Sequence, residues 1–224
     1  MPDYFSHCIA AELIYEKLNS EYKAKITSKT LYMLGAQGGD VFFAYNAKPT
    51  SKNLGRVIHG KNAVYLFEQL IKGNLSYAAG FATHYAMDCT LHPAIYAYES
   101  TKRSPLAHQS FESDLGLFLS RKYGLRRQII PEEKLLACTG SVYDSMKRIE
   151  PLITLTGVER CLKRHFAYTK FLFRTKRQDY KCGYDFNILN PEIEDALSLG
   201  TAAVKCVLNL TIDTQIFSKE FLQK

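Results

Sequence analysis

The chain contains no tryptophan. It has no apolar run approaching the roughly 18 to 20 residues of a membrane-spanning helix, which excludes a helical membrane span. Six cysteines (Cys8, Cys89, Cys138, Cys161, Cys182 and Cys206) are scattered without a C-x-x-C pair, so reduced, buried thiols in a cytosolic protein are the plain reading. The opening residues MPDYFSHCIAAEL lack a basic segment followed by an apolar one and a small-residue cleavage site. No signal peptide is therefore expected, and the expected location is cytoplasmic. Alternating apolar and polar residues, the mark of a half-buried strand, are scarce. Repeats, low-complexity tracts and a convincing linker are missing as well, which leaves no reason to divide the chain.

What is present describes a soluble globular protein of 224 residues, with 46% hydrophobic and 23% charged side chains. The formal charge of +7 favours an anionic substrate or surface without saying which. Helical periodicity recurs along the whole length. Residues 5–22 place Ile9, Leu13, Ile14 and Leu18 on one face. Ser28 or Thr30 caps a short helix ending at Gly35, and GAQGGD is a turn that delivers Asp40. After a polar loop at 49–55, residues 56–72 are amphipathic with His59 in the first turn. A central helix follows Gly73-Asn74, and Pro93 is expected to kink or end it just after His92. Ser104-Pro105 reads as an N-cap with proline at the first helical position. Further helices are expected at 131–149, at 158–175 and from Asn190 to about Val207, the last interrupted at Gly200. The expected fold is a single all-α domain over residues 1–224, a multi-helix bundle with chemistry-bearing residues mainly in 1–115 and a helical remainder at 125–224.

The informative stretch is GFATHYAMDCTLHPAIY at 80–96, which spaces His84, Asp88 and His92 at i, i+4 and i+8. On a helix these fall along one stripe. Two imidazoles and a carboxylate on one face make a poor core, because each buried polar side chain needs a partner, but they make a good divalent-metal site. A second pair at i, i+4 follows in His108 and Glu112, and five of the six histidines lie in the first half of the chain. A lone His/Asp pair at i, i+4 is also a common structural hydrogen bond; the combination with His7, Asp40 and His59 is what points to metal. His165, inside the basic Lys163-Arg164-His165 cluster, fits no such pattern and is expected at the surface. Asp114, two residues beyond Glu112, points away from it and is expected behind the site or at the surface.

H-x3-D-x3-H followed by H-x3-E, with an early His7, an Asp40 after a Gly-rich turn and a His59 before the central helix, resembles the zinc-dependent phospholipase C superfamily. That all-α fold is shared with the single-strand-specific nucleases of fungi and plants, and the resemblance covers roughly residues 1–119. It implies a cluster of two to three zinc ions. One ion would be held by Asp40, His59, His84 and Asp88, and a second by His92, His108 and Glu112. The third would share Asp88 as a bridging carboxylate and take His7. In the family an N-terminal tryptophan completes the third ion; this chain has none, so the Pro2 terminus after methionine removal, or Asp3, is the expected substitute. Sites of this donor set also accept iron or manganese.

Zinc with water in its open position supplies hydroxide near neutral pH for attack on phosphorus. The resemblance gives Asp40, besides ligation, a catalytic role in orienting or deprotonating the attacking water. H-x3-E is similar to the phospholipase branch, whereas the nucleases usually carry H-x3-D, so an anionic phosphodiester, a phospholipid or a small soluble one, is the expected substrate. Aromatic residues near the ligands (Phe42, Phe43, Tyr45, Tyr65 and Tyr85) could stack on bases or touch lipid, though such residues are usually core. The basic, aromatic stretch 159–181 could meet an anionic membrane surface, and is more simply a core helix with a solvated basic face. Two alternatives stand beside the phosphohydrolase: a nuclease-like enzyme, and a non-catalytic helical protein with a structural or vestigial metal site.

Overall fold

Asn74 starts the longest element, its side-chain oxygen accepting the amide N–H of Tyr77 and so satisfying one of the free donors of a new helix. The computed structural model describes residues 4–45, 53–174 and 179–221, and among these every regular element is helical. In chain order they are α1 (Tyr4–Lys17), α2 (Ser20–Lys25), α3 (Lys29–Gly35), a 3-10 helix (Gly38–Ala44), α4 (Leu54–His59), α5 (Ala63–Leu70) and α6 (Leu75–Ser100). Then come α7 (Ala107–Tyr123), α8 (Glu132–Ala137), α9 (Thr139–Met146), α10 (Leu155–Arg174), a second 3-10 helix (Phe186–Leu189) and α11 (Asn190–Leu208). None of these helices is long and apolar enough to cross a membrane.

The α6 helix is the axis of the bundle, packed by α11, α3, α1 and α7. Its approach to α3 is close because Gly35 faces the Tyr77 carbonyl and Gly80 faces the Tyr32 carbonyl; a Cβ on either glycine would overlap the opposing backbone. Of the two expected effects of Pro93, a kink or an end, the end is wrong: α6 runs on to Ser100. Pro93 is exposed, while Leu91, His92 and Ile95 beside it are buried, so packing on both sides outweighs the roughly 3 kcal/mol that an interior proline costs. Gly200 likewise does not interrupt α11; it makes room for the Ile14 side chain.

Other boundaries shift. Ser28, not Thr30, caps α3. Residues 5–22 divide at Asn19, which caps α2, and residues 56–72 divide at Gly60, so His59 closes a short helix instead of opening a long one. Ser104-Pro105 lies before α7 rather than at its start; Ser104 Oγ accepts the Leu106 N–H, and the helix begins at Ala107. The expected 131–149 helix is two, α8 and α9. Most of the loop at 49–55, together with Pro2, Asp3 and Thr175, lies outside the described residues.

After α11 the chain turns back and lays Phe217 and Phe221, both fully buried, on the aromatic core. The Tyr85 hydroxyl donates to the carbonyls of Ile216 and Lys219 and accepts the Lys219 N–H at 3.1 Å, which ties this segment to α6. All six cysteines are free thiols and five are buried.

Candidate metal centre

Five elements each deliver a piece of the site. His7 comes from α1, Asp40 from the first 3-10 helix, His59 from the last turn of α4, His84, Asp88 and His92 from α6, and His108 and Glu112 from α7. All are buried except His108, which is partly open. Their donor atoms gather into three sets, each within 4.8 Å: His7, Asp40 and His84; His59, His84 and Asp88; His92, His108 and Glu112. Asp88 stands at the centre. One oxygen lies 3.5 Å from His7 Nε2, and the other lies 3.2 Å from His84 Nε2 and 3.4 Å from His59 Nε2. His7, placed with Asp88 by the resemblance, also lies 3.8 Å from Asp40.

Local sequence explains the placement. The turn before Asp40 is Gly-rich for steric reasons: Gly38 sits at φ +50°, where side chains are strained, and a Cβ there would overlap the His84 ring. A Cβ on Gly39 would press on the His59 ring. Three histidines are then oriented through Nδ1. His59 Nδ1 donates to the Gly55 carbonyl at 2.7 Å, and His92 Nδ1 donates to the Asp88 carbonyl at 3.0 Å. His108 Nδ1 meets Glu99 Oε2 at 3.2 Å, while its Nε2 faces Glu112 Oε1 at 2.9 Å. Such contacts fix the tautomer and leave Nε2 turned inward as a donor of electrons. Tyr96 packs on both His92 and His108, with ring centres 5.3 and 5.8 Å away. Phe221 closes the opposite end, 5.7 Å from His59 and 6.2 Å from His84.

The electrostatics follow from burying three carboxylates among five imidazoles. Burial pushes His7 and His92 down to about 4 and His84 well below its usual value, so all three are neutral. Burial also acts against charge on His59, but the carboxylates of Asp40 and Asp88, each 3.4 Å from Nε2, override it and raise the ring to about 10. His108 is pushed up to about 8, where Glu112 and Glu99 outweigh its partial burial. For Asp40, burial would raise the carboxyl, yet the imidazoles of His84, His59 and His7 hold it below the usual carboxylate range. Asp88 rises to about 7, chiefly through burial and then through Asp40 and Glu112.

The residues fit a bound cation. Both oxygens of Asp40, one of Asp88 and one of Glu112 are buried without a hydrogen bond, as are Nδ1 of His7 and of His84. Buried acceptors of this kind are costly unless something satisfies them. A void of about 10 Å3 among His7, Asp88, His92 and Glu112 has ion-scale room. Neutral imidazoles and carboxylates are the donor set that zinc prefers.

Several parts escape the sequence reading. Glu99 lies seven residues after His92, on the same stripe of α6, and was hidden by the expectation that Pro93 ends the helix. Phe221 reaches the site only through the folded-back C-terminal segment. His165 is buried, contrary to expectation: Cys161, Leu162, His165 and Thr169 share the inner face of α10, and the basic neighbours Lys163 and Arg164 occupy the outer one. Burial pushes His165 down to about 4; its ring packs on Tyr4, and it joins none of the three donor sets. Asp114 is fully buried too, and its Oδ2 accepts the backbone N–H groups of Lys181 and Cys182, pinning the segment after α10 to α7. Of the flagged aromatics, Phe42 and Tyr85 are core, Tyr45 accepts the Thr154 N–H, Phe43 packs beside His59 and Tyr65 is exposed.

No curated protein and no solved structure matches the chain. The family profile described as zinc dependent phospholipase C matches residues 6–153, more than half of the chain. The match runs past 119, through α8 and α9, where the motifs stop and only amphipathic helix remains to be read. It also contains every one of the eight donors set out above. With its all-helical fold, the chain belongs to the zinc-dependent phospholipase C family.

Proposed function

We propose that His7, Asp40, His59, His84, Asp88, His92, His108 and Glu112 hold two to three zinc ions, and that the protein hydrolyses an anionic phosphodiester, a phospholipid or a smaller soluble one. The observation that carries this is the set of buried carboxylate oxygens without hydrogen bonds, facing neutral imidazoles across ion-scale gaps. Zinc held there would supply Lewis acidity, polarising a phosphoryl oxygen and lowering the pKa of water so that hydroxide is available near neutral pH. Asp88, with each oxygen turned to a different set of imidazoles, fits a bridging position. Asp40 stays ionised among its imidazoles, which suits accepting a hydrogen bond from water and orienting it better than taking its proton.

Substrate would reach the site at the His108 end, since that side chain is 18% exposed while the other donors are buried. Lys102, Arg103 and Leu106 are exposed on the turn that leads into α7, offering positive charge and an apolar contact to a phospholipid surface. A peripheral membrane contact there is part of the proposal. The nuclease alternative wants base-stacking aromatics at the mouth. Tyr96, the aromatic at this end, is instead packed on His92 and His108. The test is elemental analysis of the purified chain, followed by hydrolysis assays on phospholipid vesicles, bis(4-nitrophenyl) phosphate and single-stranded DNA. Two to three zinc ions with chelator-sensitive release of a phosphorylated head group support the reading. A zinc-loaded protein that cleaves only the DNA, or nothing, overturns it.

A further inference from the structure

A second cavity, of about 550 Å3, lies between α1, α3 and the 125–131 segment, and none of the eight metal-centre donors lines it. That volume is within the roughly 300–1,000 Å3 of small-molecule sites. Its walls are of two kinds. Phe5, Ile9, Met33, Leu125 and Ile130 form an apolar floor. Arg126, Arg127 and Lys134 stand on one side, and no carboxylate among the described residues pairs with any of them. Arg127 lies over the Phe5 ring at 5.1 Å, at the seam between the apolar and the basic wall. The one acidic group in the lining, Glu12, is already held by Lys29 at 2.7 Å.

An apolar floor beside three cations with no carboxylate partner among the described residues is complementary to a molecule with an alkyl chain and an anionic head. We propose that this cavity binds an anionic amphiphile, one alkyl chain carrying a carboxylate or a phosphate. The chain would lie along Phe5, Met33 and Ile130, and the head would meet Arg126 and Arg127, whose planar forks suit both head groups. On α1, Tyr4, Phe5, Cys8 and Ile9 face this cavity while His7 faces the metal centre, so the two sites share a helix and not a surface. The proposal does not depend on hydrolysis.

The test is calorimetric titration of the full, zinc-loaded chain with dodecanoate and with dodecyl phosphate, each below its aggregation concentration, and with dodecyl maltoside as a neutral head on the same chain. Three variants accompany it: Met33→Trp, which fills the floor; Arg126→Ala with Arg127→Ala, which removes the head contacts at the surface; and His108→Ala at the metal centre. Binding of one anionic probe per chain is expected, with dodecyl maltoside weaker by at least about tenfold. Each cavity variant should lose at least about tenfold, and His108→Ala should keep the site. If only one of the two heads binds and the cavity variants abolish it, the head group is identified and the site stands. Should Met33→Trp not fold, the double arginine variant decides. Binding untouched by the cavity variants, lost only in His108→Ala, or equally tight for the neutral probe overturns the proposal.

Discussion

Glu99→Ala isolates a contact that only the folded chain reveals. In the wild type, Glu99 and Glu112 grip opposite nitrogens of His108 at 3.2 and 2.9 Å and raise the ring to about 8. A metal must displace that proton, so at pH 7 about nine in ten His108 rings have to be deprotonated first, which weakens uptake about tenfold relative to pH 9. Glu99 is 46% exposed and partly screened, whereas Glu112 is 5% exposed, so Glu112 carries the larger share of the rise. Replacing Glu99 has two opposed effects. The proton leaves more easily, but the ring loses the acceptor that fixes its tautomer and aim, a loss typically of about 10- to 100-fold in affinity. At pH 9 only the second effect remains, so Glu99→Ala should bind zinc about 10- to 100-fold more weakly there. At pH 7 the gap should narrow. The assay is competition against a chromophoric zinc chelator at both pH values. Equal affinities of variant and wild type at pH 9 would refute the orienting role of Glu99.

Asp88→Asn should abolish hydrolysis and lower bound zinc, because an amide offers one acceptor oxygen where a carboxylate reaches His7 on one side and His59 and His84 on the other; full activity with full metal would refute the bridging position. Gly38→Ala should displace the His84 ring and impose a strained φ, together costing at least about 1–3 kcal/mol, read as a fall in Tm and in metal content. His165→Ala should leave zinc stoichiometry unchanged while lowering Tm through the cavity it opens, and loss of metal would show the site misplaced. The metal-free protein should lose stability as pH falls from about 6.5 toward 4. In that window His7, His84, His92 and His165 stay neutral when folded but take protons when unfolded; Asp88, raised to about 7, and Glu112, raised by burial, work in the opposite sense and are outnumbered. Thermal melts across that range check the sign.

Much of this protein is legible one helix at a time. Spacing at i, i+4 and i+8 depends only on helical geometry, so His84, Asp88 and His92 declare a common stripe without any knowledge of what they face, and His108 with Glu112 does the same. A cap at Ser28 or Thr30 and the turn marked by the glycines before Asp40 are local chemistry and read locally, whereas the His84 and His59 rings that those glycines make room for are not. The scarcity of strand patterns fixes the all-α class for the same reason. What the tertiary structure alone decided involves partners distant in sequence. It set α6 running through Pro93, because neighbouring helices pack on either side of an exposed proline. It brought Glu99 back to His108, folded Phe221 over His59 and His84, turned His165 inward despite its basic neighbours, and used Asp114 to pin Lys181 and Cys182. A helix's periodicity states which residues share a face. Burial and pairing depend on what that face meets, and that is settled only when the whole bundle closes.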